Sequence, residues 1–543
     1  MNFLLAAIDK PFIPGWAAPG TGMRPFAAEL VLIGTIIAVL LAPFFSKKSN
    51  ILCAAISIVG LLIALAFEIF VGTGGQPGEY FRGLLVADSF SQLWKILLFI
   101  FTIGVIVMWF CTTASSMHEG DGPEFFTLLL AATLGMAIMS STANLLMLFM
   151  AVEMASLPSY VLAGFRKTNR IGAEASLKYV LFGAATSAIM VYGLSILYGL
   201  YGTLQVDELG RLMATSTLGV GGSALLAVAL AGLIVGIGFK VSAVPFHFWC
   251  PDVFEGASID VSAFLSVASK GAALALLLRV LMTFAAGAGY HDAPGISMNA
   301  LAIVIGVIGA ITATVGNTSA FVQTNIKRLL AYSSIAHAGY MLCALSLLVR
   351  GAKAQADFDP TGEAARAILI YLAIYMFMNL GAFTVAGLIW RETGSEKIED
   401  YAGMGRRSPI LALCMTIFMF SLVGLPPLAG FTAKVYVLWA LIQNGGWWWA
   451  LVAVIGINTI LSLYYYVRVV KVMYLNQSDR PAFMPNPIGL GVSVLCALML
   501  FLMFIGFGPL NRLARTHSDV YLGDDVAARN VVTPLKTASV ELP

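Results

Sequence analysis

The residues best suited to chemistry lie in and around one interrupted apolar segment. Lys240 follows an apolar run at 224–239, and Pro245 stands five residues after it. Proline has no N–H and its ring clashes with the carbonyl four residues back, so Pro245 is predicted to break the helix and free the carbonyl of Val241. A lysine near a bilayer centre costs roughly 2.5–3.5 kcal/mol and usually faces a protein interior or a wet cavity. The pattern predicts an ion or proton site at Lys240 rather than a lysine that snorkels to the headgroups.

Other ionisable residues also lie inside apolar segments. They are Glu153, Lys178, Lys270 and Lys434. Five isolated charges would cost on the order of 15 kcal/mol, more than the net stability of a typical domain, so they must be paired, hydrated or neutral part of the time. A lysine whose carboxylate partner comes and goes can load and release a proton. We predict that Glu153 pairs with Lys240 and that Lys270 and Lys434 continue the path. Fixed ion pairs that lock helices together are the alternative, above all for Lys178.

Two histidines are candidates for a proton relay. His337 lies among hydroxyl side chains in the sequence Tyr332-Ser-Ser-Ile-Ala-His-Ala-Gly-Tyr340, and His247 follows the break at Pro245. Histidine titrates near neutral pH, which suits a relay, although a buried histidine can also be a hydrogen-bonded structural residue. Two carboxylates near the ends of apolar segments, Glu29 and Asp88, are predicted to lie at the membrane interface or to contact a partner.

The composition is that of a membrane protein. Of 543 residues, 59% are hydrophobic and 11% are charged, and the mean hydropathy is +0.89; soluble domains have about 25% charged residues. The net charge of +3 is spread over short loops, which excludes nucleic acid as a partner. The six cysteines occur singly, so we predict packing residues and no disulfide, metal or cofactor site on this chain. Gly236-Ile-Gly-Phe-Lys240 lacks the spacing of a phosphate-binding loop.

Fourteen apolar stretches are long enough to cross a bilayer as helices, which predicts an all-α polytopic membrane protein. They lie at about 26–45, 51–72, 88–111, 124–142, 144–165, 174–200, 223–249, 258–285, 296–319, 326–349, 365–390, 409–442, 447–474 and 486–509. Spans seven and twelve are interrupted, by Pro245 and by Pro426-Pro427. Because they lie five spans apart, and an odd number of spans inverts on repetition, we predict two inverted five-helix repeats.

The predicted division of the chain follows from these repeats. Helices one to three occupy 1–123, the first repeat 124–285, the second repeat 296–474, helix fourteen 486–509 and a polar tail 510–543. Alternate loops hold fourteen and six Lys and Arg residues, the tail excluded. Since cytoplasmic loops carry the excess, both termini are predicted to face away from the cytoplasm. The N-terminal apolar run is too short for a signal peptide.

Several motifs carry a resemblance to a known family. They are Val152-Glu153-Met-Ala-Ser-Leu-Pro158, Glu174-Ala-Ser-Leu-Lys178, Pro245-Phe-His-Phe-Trp-Cys-Pro-Asp252, the His337 motif, and Gly424-Leu-Pro-Pro-Leu-Ala-Gly-Phe-Thr-Ala-Lys434. In this order they resemble the antiporter-like membrane subunit N of respiratory complex I, NADH:quinone oxidoreductase. The resemblance implies fourteen helices, two inverted repeats, discontinuous helices seven and twelve, and one proton channel.

The resemblance also implies roles for particular residues. Glu153 matches the family's charge on helix five, Lys240 the central lysine of helix seven, and Lys270 the bridging lysine of helix eight. Lys434 matches the lysine of helix twelve, and Lys178 and His337 fall on matching motifs. The related subunit M carries glutamate where Lys434 stands, and subunit L has an added lateral helix that this chain lacks. Cys250 matches no family role.

These observations predict a proton-translocating subunit in the plasma membrane of a bacterium. NADH, FMN, iron–sulfur clusters and quinone are expected in other subunits of the complex, and neighbouring membrane subunits and lipid are the expected partners. A subunit of a cation/proton antiporter or of a membrane-bound hydrogenase on the same scaffold is the alternative function. A structural membrane subunit without conduction is a second alternative, which the buried charges and interrupted spans oppose.

Overall fold

The architecture comes from a computed structural model that describes residues 24–45, 49–70, 78–114, 117–118, 120–166, 169–287, 298–348 and 360–518. Our interpretations of the N-terminus, of the basic residues Lys47, Lys48, Lys167, Arg350 and Lys353, and of the tail beyond residue 518 lie outside this part. Within it, twelve helices are long and apolar enough to cross a membrane. The predicted all-α membrane class is confirmed.

The helices of the first half of the chain begin and end close to the predicted spans. They are α1 (Ala27–Leu41), α2 (Ser49–Phe70), α3 (Ser89–Thr112), α4 (Gly122–Ser141), α5 (Leu145–Ala163), α6 (Arg170–Tyr201), α7 (Val206–Thr215), α8 (Val220–Val241), α9 (Trp249–Gly256), α10 (Ile259–Phe264) and α11 (Lys270–Gly287). A π-helical turn, Leu265–Ser269, joins α10 to α11, and short 3-10 helices, Arg24–Phe26 and Ala42–Phe44, flank α1.

The second half contains nine further helices. They are α12 (Met298–Ala320), α13 (Ile326–Leu345), α14 (Pro360–Thr393), α15 (Met404–Arg407), α16 (Pro409–Val423), α17 (Ala429–Asn444), α18 (Trp448–Leu475), α19 (Pro487–Ile505) and α20 (Phe507–Ser518), with a 3-10 helix at Ile398–Tyr401. Predicted span ten corresponds to α13, and span twelve to α16 and α17 together. Helix α20 occupies the start of the segment that we predicted as a polar tail. The count of fourteen spans and the inverted repeats stay predictions.

Polar caps fix many of the helix ends. Asn144, Asn169, Asn325 and Asn486 each precede a helix and accept hydrogen bonds from backbone N–H groups of its first turn. Asn is among the residues best suited to satisfy these otherwise unpaired donors. The cap at Asn144 separates α4 from α5, so the predicted boundary between spans four and five is confirmed.

A short hairpin departs from the prediction of helices alone. Strand β1 (Gly78–Tyr80) pairs antiparallel with β2 (Leu85–Ala87), with Gly78 opposite Ala87 and Tyr80 opposite Leu85. Three-residue strands leave almost no alternating pattern in the sequence, so the prediction missed them. The hairpin lies against the start of α3 and next to the turn between α4 and α5.

Helices α11 and α14 form the centre of the protein. The apolar windows of both are almost entirely buried, whereas most of α19 faces outward. In a membrane protein the outward faces of peripheral helices contact lipid, so an apolar residue there needs no protein partner. The buried central helices therefore bring polar side chains from both halves of the chain together.

Both predicted interruptions are confirmed. Helix α8 ends at Val241 and α9 begins at Trp249, while α16 ends at Val423 and α17 begins at Ala429. The residues after the two helix ends, Ser242 and Gly424, have φ of 62° and 88°, and the peptide bonds before Pro245 and Pro427 are cis. At Gly424 a Cβ would lie 3.0 Å from Cδ of Lys434, so glycine lets this lysine pass close to the break.

Candidate functional site

Lys240 lies in the last turn of α8, where the helix is interrupted. Its side chain is 1% exposed, and its Nζ has no hydrogen-bond partner among the described residues. The ring centroids of Tyr160 and Tyr179 lie 5.7 and 5.9 Å from Nζ. Aromatic faces attract a cation through their quadrupole without fixing a counter-ion. The ammonium group is therefore held in the interior without a permanent anionic partner.

Glu153 lies on α5 and interacts with Lys240 at longer range than predicted. The hydroxyl of Ser187 on α6 donates a hydrogen bond to Oε1 of Glu153. Glu153 and Lys240 interact electrostatically, but no ion pair of 4.0 Å or less joins them among the described residues. Tyr160 also interacts electrostatically with Glu153, so its ring is near both charges. The two predicted partners are neighbours in this structure rather than a contact pair.

Lys270 connects elements of the two halves. It is the first residue of α11, directly after the π-helical turn, and it is buried. Its Nζ donates to Oγ of Ser334 on α13 and to Sγ of Cys250 on α9, the latter at 3.3 Å. The ring of Phe254 lies 5.5 Å away. Cys250, to which the sequence assigned only packing, is therefore a polar partner of a predicted proton-carrying lysine.

His337 is the centre of a buried network of hydroxyl groups. A hydrogen bond of 2.6 Å joins Nδ1 to the Tyr371 hydroxyl, and one of 3.3 Å joins Nε2 to the Tyr466 hydroxyl. The Tyr466 hydroxyl is in turn hydrogen-bonded to Ser333. Ser334, which binds Lys270, lies three residues before His337, and therefore about one turn away on the same helix. This network continues from Lys270 towards α14 and α18.

Lys434 lies at the second interruption, as predicted. Its Nζ donates a hydrogen bond of 2.9 Å to the carbonyl of Val423, the last residue of α16, and lies 4.9 Å from the ring centroid of Tyr340. The side chain is buried, which excludes a snorkelling position. His337 interacts electrostatically with both Lys434 and Lys270. The structure thus brings Lys434 and His337 of the second half close to Lys270 of the first half.

Lys178 belongs to a different environment from the other lysines. Its side chain is 39% exposed, and Nζ pairs with Glu174 at 2.9 Å and Asp252 at 2.7 Å. Arg328 pairs with the same Asp252 at 2.7 Å and with Glu255 at 2.6 Å. Burial acts to raise the pKa of Asp252, but the hydrogen bonds from Lys178 and Arg328 prevail and lower it. The arrangement agrees with the alternative of fixed ion pairs between helices.

His247 lies within the first interruption, between α8 and α9. The side chain is largely buried, and its Nδ1 has no hydrogen-bond partner among the described residues. Its ring lies 4.4 Å from that of Phe248. The structure therefore places the ring at the break, as the sequence indicated, and the relay role stays a prediction.

Glu29 and Asp88 are not available to contact a partner, and their predicted place at the membrane interface stays a prediction. Both are buried: Glu29 pairs with Lys95 at 2.6 Å, and Asp88 accepts two hydrogen bonds, of 2.8 and 2.9 Å, from Arg279. The prediction took a position near a span end as a sign of exposure, whereas helix packing covers both carboxylates. The sequence analysis missed Lys95, Glu68 and Arg279 as candidate buried charges. It could have found them, because each is a charged residue inside a predicted span.

These observations define the class of the protein. It is a polytopic α-helical membrane protein with two interrupted spans, a buried lysine at each break, and an internal network of tyrosine, serine and histidine.

Residues 142–461 match the family described as "NADH:quinone oxidoreductase/Mrp antiporter, TM". A relative from Sorangium cellulosum, named NADH-quinone oxidoreductase subunit N 2, is 39% identical over 502 residues, which cover 89% of this chain and 95% of the relative. A relative from Anaeromyxobacter, named subunit N, is 42% identical over 77% of this chain and 82% of its own length.

Solved structures agree with the sequence relatives. A chain of respiratory complex I from Thermus thermophilus with bound aureothin superposes with a TM-score of 0.72 and 31% identity, over 90% of this chain and 99% of that one. A chain of the Mrp complex from Dietzia has a TM-score of 0.78 at 19% identity, over 94% of this chain and 100% of its own, which shows the fold alone. This chain therefore belongs to the family of NADH:quinone oxidoreductase and Mrp antiporter membrane subunits.

Proposed function

We propose that this chain is the proton-translocating subunit N of an NADH:quinone oxidoreductase in a bacterial plasma membrane. The observation that carries the proposal is the row of buried groups Lys240, Lys270, His337 and Lys434, which runs between the two helix interruptions. The names of the relatives support it. Other membrane subunits are the partners, and we assign NADH, FMN, the iron–sulfur clusters and quinone to other subunits.

The chemical step is proton transfer between neutral and charged forms of these side chains. Lys240 has ring faces and the more distant Glu153 around it, and Lys270 has neutral acceptors, so neither lysine is held in its charged form by a direct ion pair among the described residues. Because like charges in a low-dielectric interior repel, a proton that arrives at one site promotes release from the next. The ring of Tyr179 lies beside Lys240, and its hydroxyl lies close to Ser269, the residue before Lys270.

The free energy of a change in proton affinity is similar to the free energy that proton pumping requires. Moving one charge against 100 mV requires about 2.3 kcal/mol, so a membrane potential of ~150–200 mV requires roughly 4 kcal/mol per proton. A change of one to three units in proton affinity corresponds to about 1.4–4 kcal/mol, which an approaching or departing charge can supply. Redox energy released elsewhere in the complex must reach this chain through its membrane neighbours.

A cation/proton antiporter subunit is the second candidate, because the Mrp chain shares the fold. The relatives named subunit N favour the first function, since they are 35–42% identical over most of the chain. Purification in mild detergent tests this choice. Quinone-reductase subunits should copurify with the chain, and copurifying antiporter subunits would contradict the proposal.

The Lys240→Met substitution tests the role of the site itself. The complex should assemble and reduce quinone, but the ratio of protons pumped to electrons transferred should fall by the share that this subunit contributes. Lys471→Met is the matched control, because Lys471 is an exposed lysine on α18. A normal pumping ratio in the assembled Lys240→Met complex would show that Lys240 does not carry protons.

A further inference from the structure

A second buried ionic cluster lies outside the path described above. Glu29 on α1, Glu68 on α2 and Lys95 on α3 form a triad in which Nζ of Lys95 lies 2.6 Å from Glu29 and 3.6 Å from Glu68. All three side chains are at most 5% exposed. Two carboxylates therefore share one lysine in the interior of the protein.

The surrounding charges leave the triad unbalanced. The nearest other ionic groups, Asp88 and Arg279, neutralise one another through two hydrogen bonds, and Arg279 also donates to the carbonyl of Ser140. Among the described residues that line the cleft beside the triad, Tyr80 of the hairpin is also titratable. With every group ionised, the triad carries a net charge of −1. Two carboxylates in one buried site repel each other, which favours the uptake of one proton.

The triad is also connected to the surface of the protein. Glu29 and Lys95 line a small cleft beneath the hairpin, together with Tyr80, Phe81 and Ser141. The volume of the cleft is about 10 Å³, roughly the minimum that holds one water molecule. Oε2 of Glu29 is buried and has no hydrogen-bond partner among the described residues. An acceptor oxygen without a donor, next to a space for water, is suited to accept a hydrogen bond from a water molecule.

We propose that Glu29, Glu68 and Lys95 form a proton-binding site that holds one shared proton and exchanges it with water at the non-cytoplasmic face. In the exchange, one carboxylate oxygen of the triad gains an O–H bond and a water in the cleft loses one. The assignment of the face comes from the count of basic loop residues, which places the hairpin loop with Arg82 opposite the cytoplasm. The use of the site in translocation rests on the proposed function, whereas the binding of the proton does not.

Infrared spectroscopy of the whole complex tests the shared proton. The C=O stretch of a protonated carboxyl group should appear in the wild type as pH falls, and should be absent in both Glu29→Gln and Glu68→Gln, because either change leaves a neutral carboxylate–lysine pair. Lys95→Met should strengthen the band, since two carboxylates then need protons. Glu29→Asp should keep it at a shifted frequency. Glu208→Gln, which alters an exposed carboxylate, is the control and should match the wild type.

The outcomes distinguish a failure of the shared-proton proposal from a failure of the proposed function. An unchanged carboxyl band in Glu29→Gln and Glu68→Gln overturns the shared proton, and a band that responds to sodium at constant pH assigns a sodium ion instead. If Glu29→Gln does not assemble, Glu68→Gln makes the same test with the more distant carboxylate. Full pumping in Glu29→Gln beside lost pumping in Lys240→Met overturns the use of the triad in translocation and leaves the proposed function intact.

Discussion

The buried lysines differ in what surrounds the ammonium group. Lys95 has two carboxylates, whereas Lys240 has ring faces, Lys270 a hydroxyl and a thiol, and Lys434 a backbone carbonyl. A carboxylate favours the charged form of its lysine, and neutral partners favour it much less. The lysines with neutral partners can therefore change protonation state with the smaller free-energy change. On the proposed function, the contacting partner of the ammonium group, more than burial itself, distinguishes a proton-carrying lysine from a structural one.

The coupling of two individual charges can be tested by combining Glu153→Gln with Lys240→Met. Each single substitution should lower the pumping ratio, because Glu153 stabilises the proton on Lys240 through electrostatic interaction. The double variant should lose less than the sum of the single losses, as residues that act as a unit do. The ratio of protons to electrons in reconstituted complex measures this. Strictly additive losses would show that the two sites act independently.

At the scale of elements, the interruptions place polar backbone next to charged side chains. In hydrocarbon, unpaired carbonyls are tolerated only where protein or water can bind them. At the first break, Nε1 of Trp249 donates a hydrogen bond of 3.1 Å to the carbonyl of Phe239, and at the second break Lys434 donates to Val423. The broken helices are therefore stabilised by side chains of the segments that follow them. Lys434 has a structural role in addition to its proposed one.

Because Lys434 donates a hydrogen bond at its break and Lys240 does not among the described residues, substituting the two lysines should destabilise the protein unequally. Lys434→Met removes the donor to the Val423 carbonyl and should destabilise the protein by about 1–3 kcal/mol, the cost of a buried acceptor left unpaired. Lys240→Met removes no hydrogen bond among the described residues, so it should cost less. Thermal unfolding of the purified complex, followed at this subunit by hydrogen exchange, measures both variants. Equal losses would contradict the structural role of Lys434.

At the scale of the whole molecule, the packing separates two kinds of ionic site. Pairs such as Asp88 with Arg279 join helices α3 and α11, and the half-exposed network of Lys178, Asp252 and Arg328 joins α6, α9 and α13. The row from Lys240 to Lys434 shares no residue with these pairs, and its Lys270 belongs to the buried central helix α11. On the proposed function, fixed ion pairs hold the helices together while protons move through the row of buried groups.

The orientation of this scaffold gives a prediction for the entire chain. Because the basic loops should face the cytoplasm, a cysteine introduced at Gly219 should react with a membrane-impermeant maleimide in spheroplasts, and one at Gln477 should react only after lysis. Both positions are exposed, and all six native cysteines are buried, which keeps the background low. The reverse labelling pattern would invert the topology and move the triad to the cytoplasmic face.

The sequence by itself determined the features that depend on local chemistry. The missing N–H groups at Pro245 and Pro427 disfavour a continuous helix through a local effect, and a charge inside an apolar span is visible without neighbours. The membrane class, the two interruptions and the candidate groups Lys240, Lys270, His337 and Lys434 followed from these local signals. Asn caps such as Asn144 are equally local, and in the structure they lie where adjoining helices separate.

Only the tertiary structure decided which groups meet. Lys178 and Lys95 both look like charges in apolar helices, yet one is half exposed in an ion-pair network and the other is enclosed by two carboxylates. Cys250 contacts Lys270 only because α9 packs beside the π-helical turn. Membrane helices are apolar on nearly every side, so the sequence pattern does not indicate which face turns inward. That choice depends on packing between distant segments, and it separates the proposed proton-carrying residues from the structural ion pairs.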